Sequence, residues 1–421
     1  MSGLIRTYIL LLALSPVLAY LWHNLSYIAY YNIMAFIAQI IFIVFFINRK
    51  LNGAKIKVPK YIYPFFLLII YYYIWGFYNG EVQERGLFMH TLNNKPLQIA
   101  LLLLLIENTY FNKKFIKSLI PVIKITIILA LIFSIIQTKD FDFFTARTIG
   151  SKGFFSIRRS SIFGFLDPIE LGISFCSLLA VLISWNFLNK KDINKTILYT
   201  IIGAVVIFLT NSRWMMVNYI VLLFIYVIYS KSTFRGVFKY IAIGFIAIFI
   251  TWNILPFFGY NLDVFIQQRL LSESAMSRIT AFDAFARYFP ENPWWGRGIH
   301  LTRGMEGVEL EGSHQIHVGY LAHLDEWGTI GSIFLFLFWF LLIKKFYREA
   351  KKTKFYGGFF AFSFFLIANL TLVHYNILFY GLILAFVFHK HFKDLFILKR
   401  KYEKTRFFNY RSRKKRHYLA V

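Results

Sequence analysis

The chain has 421 residues, 58% hydrophobic and only 16% charged, where a soluble chain of this size would be near a quarter charged, so a soluble globular protein is excluded. Its net charge of +27 does not point to nucleic acid, because the basic residues sit in short loops between apolar runs and in the tail 399–417, the positive-inside pattern of a membrane protein. The single cysteine, Cys176, lies in an apolar run and excludes an intrachain disulfide and a cysteine-based metal site.

Apolar runs of bilayer-spanning length recur from end to end. In chain order they are Leu4–Trp22, Tyr27–Ile47, Tyr61–Tyr78, Leu87–Ile106, Leu119–Gln137, Ile169–Leu188, Thr196–Thr210, Trp214–Tyr229, Tyr240–Leu255, Thr329–Ile343, Phe355–His374 and Tyr375–Leu395. The expectation is an all-α polytopic membrane protein with about twelve spans. Residues 1–258 hold the first nine, 259–328 form one large, partly helical outward loop, 329–398 hold the last three, and 399–421 are a basic tail. The first run has no small-residue cleavage site before Trp22, so it reads as a retained span. Lys95-Pro96 interrupts the fourth.

The loops give an orientation. Arg49–Lys60, Lys113–Lys117, Lys190–Lys195, Lys231–Lys239, Lys344–Lys354 and the tail are rich in lysine and fall on one side, which the positive-inside rule makes cytoplasmic together with both termini. The other side carries mostly arginine: Arg85, Arg147, Arg158, Arg159, Arg213, Arg269, Arg278, Arg287, Arg297 and Arg303. Orientation needs only positive charge. Arginine adds a planar fork of donors that suits phosphate, so an anionic ligand is expected on the outer face. Pairing with headgroups or loop carboxylates is the alternative.

Within the long loop, Ser277–Phe289 has helical spacing, with Phe282, Phe285 and Phe289 on one face. Arg278 falls in that arc and would need a partner if buried, whereas Arg287 lies opposite and can be solvated. Pro290-Glu-Asn-Pro-Trp-Trp-Gly-Arg-Gly298 then breaks the helix as a plain turn. If His317–Gly328 opens a helix, His317, Leu321, Leu324 and Gly328 share a face, His314 lies on or just before it, and His323 and Glu326 point elsewhere. A histidine titrating near neutral pH is a general-base candidate, while His323 reads as structural. A metal site from His314, His317, His323 and a carboxylate matches no known ligand spacing, so no metal and no cofactor are expected. Away from the span ends, ionisable residues are few (Lys124, with Glu170 at a lip), which moves the chemistry to the outer surface.

Four motifs in order resemble the O-antigen ligase and polymerase superfamily of bacterial membrane glycosyltransferases. Leu209-Thr-Asn-Ser-Arg213 is similar to its Leu-Thr-x-Ser-Arg hairpin. Ser277-Arg278, followed by Asn292-Pro-x-x-Gly-x-Gly298, is similar to its arginine helix and Pro-Gly turn. His317-x-x-Tyr-Leu-x-x-Leu-x-Glu326-x-Gly328-x-x-Gly331 resembles its histidine pattern, and Arg158-Arg159-Ser with Pro168 and Gly172 resembles its upstream arginine element. Val318 stands where the family has Asn, Ile169 where Asn follows the proline, and His314 adds a second histidine.

The resemblance implies a site at the periplasmic face of the bacterial inner membrane. Arg213 and Arg278 would hold the diphosphate of an undecaprenyl-diphosphate-linked oligosaccharide, with Arg158 or Arg159 assisting. His317, or His314, would activate an acceptor hydroxyl on a glycan or lipid-linked acceptor, with inversion and without a metal. The departure at Val318 favours a polymerase of surface polysaccharide. A ligase transferring glycan to lipid A-core is the alternative, and a flippase for the same lipid-linked glycan is a more distant one.

Overall fold

A computed structural model describes residues 2–22, 27–78, 86–87, 91, 95–138, 141–142, 147–148, 168–189, 193–209, 213–230, 282–296, 318–370 and 380–418. Apart from a two-residue antiparallel ladder pairing Phe141 with Thr148 and Asp142 with Arg147, these residues are helical or connecting. We number the helices α1 (Ser2–Trp22), α2 (Tyr27–Leu51), α3 (Tyr63–Tyr78), α4 (Lys95–Asn108), α5 (Lys113–Thr138), α6 (Pro168–Leu188), α7 (Ile193–Leu209), α8 (Arg213–Ser230), α9 (282–288), α10 (Gly319–Thr353), α11 (Gly357–Ala368) and α12 (Tyr380–Tyr418). Every predicted span carries a helix except Tyr240–Leu255, which lies outside the described residues.

Among the described residues, three stretches are long and apolar enough to cross a membrane: Lys60–Tyr78, Lys113–Ile132 and Gly319–Thr353. Shorter apolar helices, Gly172–Leu188 and Gly357–Ala368 among them, pack beside them. This is the pattern of a multi-pass membrane protein. α4 begins at Lys95, where the interruption falls, with Pro96 in its first turn, where a missing N–H costs nothing. α12 does not stop at the end of its apolar stretch but runs on through the basic segment from Lys399.

The centre of the bundle is α6, enclosed by α8, α11 and α12. Ile173, Phe175, Cys176 and Leu178 through Leu182 are all fully buried, so this helix meets protein on every side. Phe362 and Phe365 of α11 stack on each other beside it, and Trp185 of α6 meets Phe388 and Phe392 of α12 edge-on. Lys124, the ionisable residue inside α5, lies over the ring of Tyr199 at 5.6 Å, a cation–π contact that accommodates its charge.

The two ends of the bundle are built differently. At the lysine-rich end, Arg49 of α2 donates to the Asn108 carbonyl at 2.9 Å and the Lys57 amide to Asn108 Oδ1 at 2.8 Å. Glu107 pairs there with Lys345 of α10 and with Lys393 of α12 at 3.3 Å. Glu349 pairs with Lys393 at 2.9 Å and with His389 at 2.8 Å. The other end carries the candidate site.

Candidate functional site

The site is organised by a break in α10. Gly328 interrupts the helix with φ 62° and ψ −176°, a conformation open essentially to glycine alone. The break leaves the backbone N–H groups of the following turn without helical acceptors. The turn Pro293-Trp-Trp-Gly296 supplies them: the Thr329 amide donates to the Pro293 carbonyl at 2.8 Å and the Ile330 amide to the Trp294 carbonyl at 3.2 Å. The Thr329 hydroxyl adds a bond to Pro293 at 2.7 Å. The turn is therefore an external cap for the second half of α10.

The two backbones cross at contact distance. A Cβ on Gly328 would lie 2.4 Å from both the Gly296 nitrogen and the Trp294 carbonyl oxygen, and one on Gly296 would lie 2.3 Å from the Gly328 nitrogen. Both glycines also have positive φ, so an L side chain is opposed by strain as well as by space. Tyr71 of α3 closes the crossing. Its hydroxyl lies within hydrogen-bond reach of the Trp295 carbonyl and, at 3.0 Å, of the Trp327 carbonyl, and its ring stacks on Trp295 with centroids 6.1 Å apart.

Behind the crossing lies a buried polar group. His323 is fully buried, with Nε2 donating to Asn369 Oδ1 at 3.2 Å and the ring edge-on to Trp339 at 5.4 Å. Glu326 Oε2 stands 3.8 Å from His323 Nδ1. The Ser332 hydroxyl donates back across the break to the His323 carbonyl at 2.9 Å. Asp325 and Glu326 are buried too. Tyr320 donates to the Leu366 carbonyl at 2.8 Å, so the start of α10 is fastened to the last turn of α11.

The neighbouring helices bring other starts to the same end. Asn218 of α8 donates to the Phe364 carbonyl of α11 at 3.3 Å. Gly172 of α6 lies so close to Met215 of α8 that a Cβ would come 2.2 Å from it, and Gly381 of α12 lies as tightly against the Ser174 carbonyl. The starts of α6, α8 and α12 thus pack against one another, and α8 and α10 each reach the C-terminal half of α11, through Asn218 and Tyr320. Arg213 is the first residue of α8, and Val318, next in sequence to His317, caps the start of α10.

Arg158, Arg159, Arg278, His314 and His317 lie outside the described residues, as does the side chain of Arg213. Arg287 is exposed on α9, as its face predicts. Phe285 and Phe289 stack with centroids 4.7 Å apart, and Phe285, Val318 and Leu321 pack against Ala322. Phe282 departs from the predicted face and is 55% exposed. The expected faces of 317–328 also need correction. Gly328 is buried as expected, but so are Ala322, His323, Asp325, Glu326 and Trp327, while Leu321 and Leu324 are half-buried. Helical periodicity places the apolar side inward, but this segment is covered by the 293–296 turn and α11, and His323 finds a partner in Asn369, just past the end of α11. The i, i+3 spacing of His323 and Glu326 was the signal available for this contact.

Among known proteins, residues 198–336 match the family model described as O-antigen ligase. The match begins in α7 and ends beyond the break in α10, so it covers Arg213, Arg278, His314, His317 and both glycines of the crossing, and it leaves out Arg158 and Arg159. No curated protein matches the chain. The match supports a membrane glycosyltransferase of the O-antigen ligase and polymerase type.

Proposed function

From a chain that carries an O-antigen ligase domain over residues 198–336, we propose a metal-independent, inverting transfer of glycan from an undecaprenyl-diphosphate carrier to an acceptor sugar hydroxyl. The transfer takes place at the periplasmic face of the inner membrane. Both termini lie in the cytoplasm, about twelve spans cross the bilayer, and the product is a longer surface polysaccharide. The observation that carries this reading is the convergence of helix starts. Arg213 opens α8, and α10 begins two residues after His317, at the same end of one bundle.

Arg213 and Arg278 hold the diphosphate, with Arg158 or Arg159 assisting, because guanidinium forks match its paired oxygens. The first turn of α8 adds backbone N–H groups and the positive end of a helix dipole. His317 takes the proton of the acceptor hydroxyl, with His314 as the second candidate for that role. The hydroxyl oxygen forms a bond to the anomeric carbon as the bond to the diphosphate oxygen breaks, and the electron pair leaves with the diphosphate. The charge that grows on the leaving oxygen is met by the arginines already in place. A diphosphate is a good leaving group, so charge compensation by arginine suffices for this chemistry. Lipid-linked donor, acceptor glycan and bilayer are the partners.

Arg213→Ala, Arg278→Ala and His317→Ala each test this. Each is expected to reduce glycan transfer from a purified lipid-linked donor by roughly a hundredfold or more. Undiminished transfer in all three sinks the proposal, and a loss in His314→Ala with His317→Ala active moves the base to His314. A longer lipid-linked chain identifies a polymerase, and glycan on lipid A-core identifies a ligase. Movement of the donor across the bilayer without transfer identifies a flippase.

A further inference from the structure

A cavity of about 370 Å³ opens at the lysine-rich end, away from the helix starts assigned to transfer. It is lined by Glu349, Lys352 and Thr353 at the end of α10 and by Lys393, Phe396, Ile397 and Arg400 of α12. Its size falls in the range of small-molecule sites, roughly 300–1,000 Å³. Lys393, Phe396, Ile397 and Arg400 follow one face of α12 at helical spacing, so the wall is cationic at both ends and apolar between.

The charges on this wall are unevenly satisfied. Glu349 is held by His389 at 2.8 Å and by Lys393 at 2.9 Å, and Lys393 also reaches Glu107 at 3.3 Å. Lys352 and Arg400 are exposed, and among the described residues neither is in an ion pair. The free positive charge at the mouth therefore belongs to these two. Beside them α12 exposes Leu395, Ile397 and Leu398. Here a helix passes from apolar sequence into its basic extension, as at a membrane boundary.

A small soluble anion would use the two cations and leave the apolar wall wet. A phosphate group that carries hydrocarbon satisfies both, and basic pockets between spanning helices are suited to such headgroups. We infer that this cavity binds the phosphate headgroup of an anionic phospholipid, held by Lys352 and Arg400 with its glycerol and first methylenes against Phe396 and Ile397. The site is separate from the arginines proposed for the diphosphate and does not depend on their role.

The test is retention of phospholipid by the full-length protein in detergent, measured by native mass spectrometry with phosphatidylglycerol or phosphatidylcholine added. The wild type is expected to keep one phosphatidylglycerol in preference to phosphatidylcholine. In Lys352→Gln/Arg400→Gln that preference falls roughly tenfold or more. Lys344→Gln/Lys399→Gln removes the same charge from exposed positions off the cavity and is expected to leave retention unchanged. Equal loss in both double variants would reduce the effect to general surface charge and overturn the site, as would equal retention in all three proteins. Inorganic phosphate in excess tests the lipid assignment. If it raises the unfolding midpoint as much as phosphatidylglycerol does, the occupant is a free anion and the lipid is ruled out.

Discussion

The lysine-rich end and the arginine-bearing end of the bundle satisfy buried polarity by opposite means. At the first, charges are neutralised inside the protein: Glu107 and Glu349 gather Lys345, Lys393 and His389 between α4, α10 and α12. At the second, the described joints are mostly hydrogen bonds between neutral groups, from the turn at 293–296 to Thr329 and Ile330, and from His323 to Asn369. The ion network fixes three helices to one another and uses up its cations. The neutral joints fix backbone positions without calling on the arginines that the proposed chemistry requires. Ion pairs thus fix the helices of one end, and backbone hydrogen bonds fix those of the other.

The largest effect expected from breaking this contrast is on stability, at the ionic end. Glu107→Ala leaves Lys345, whose side chain is only 14% exposed, and Lys393 short of a carboxylate. Losing one partner of a buried pair costs about 3–5 kcal/mol. The unfolding midpoint in detergent should fall clearly, with transfer per folded molecule unchanged, and loss of transfer without loss of stability would show that the ends are not independent. Next comes Gly328→Ala, which forces a Gly-only conformation worth about 1–3 kcal/mol of strain and drives a methyl into the Trp294 carbonyl. It should release the 282–296 segment to proteolysis and reduce transfer together. A protected segment with normal transfer would mean that the crossing tolerates a side chain.

Smaller still is Asn369→Ala, which removes a hydrogen-bond acceptor of the buried His323. Its expected cost is about 1–3 kcal/mol, read as a lower unfolding midpoint. Arg287→Ala sets the floor. Its side chain is exposed, and a surface change of this kind stays within about 0.5 kcal/mol. A large loss of transfer in Arg287→Ala would place Arg287 in the site and overturn the face argument that set it apart.

Legibility in the sequence followed the length scale of the interaction. Helices α1 to α8 and α10 to α12 were readable because an apolar run of spanning length has few alternatives to a helix. Sidedness was partly readable too, since the lysine-rich loops at Arg49–Lys60 and Lys344–Lys354 do meet at one end through Asn108 and Glu107. The burial of His323 and Glu326 was not. Periodicity ranks faces by hydrophobicity and cannot foresee a turn some thirty residues upstream that covers a polar face.

By itself, then, the sequence determined the class of molecule, the segments that form helices and the stretch, residues 198–336, that matches the family model. These depend on composition, short-range spacing and the preference of apolar runs for lipid. Only the tertiary structure decided how the motif glycines are used. Pro293-Trp-Trp-Gly296 reads as a turn and Gly328 as a helix residue, and neither reading contains the other. Their crossing exists because a broken helix needs acceptors for its orphaned amides, and three-dimensional packing placed the carbonyls of Pro293 and Trp294 where those amides point.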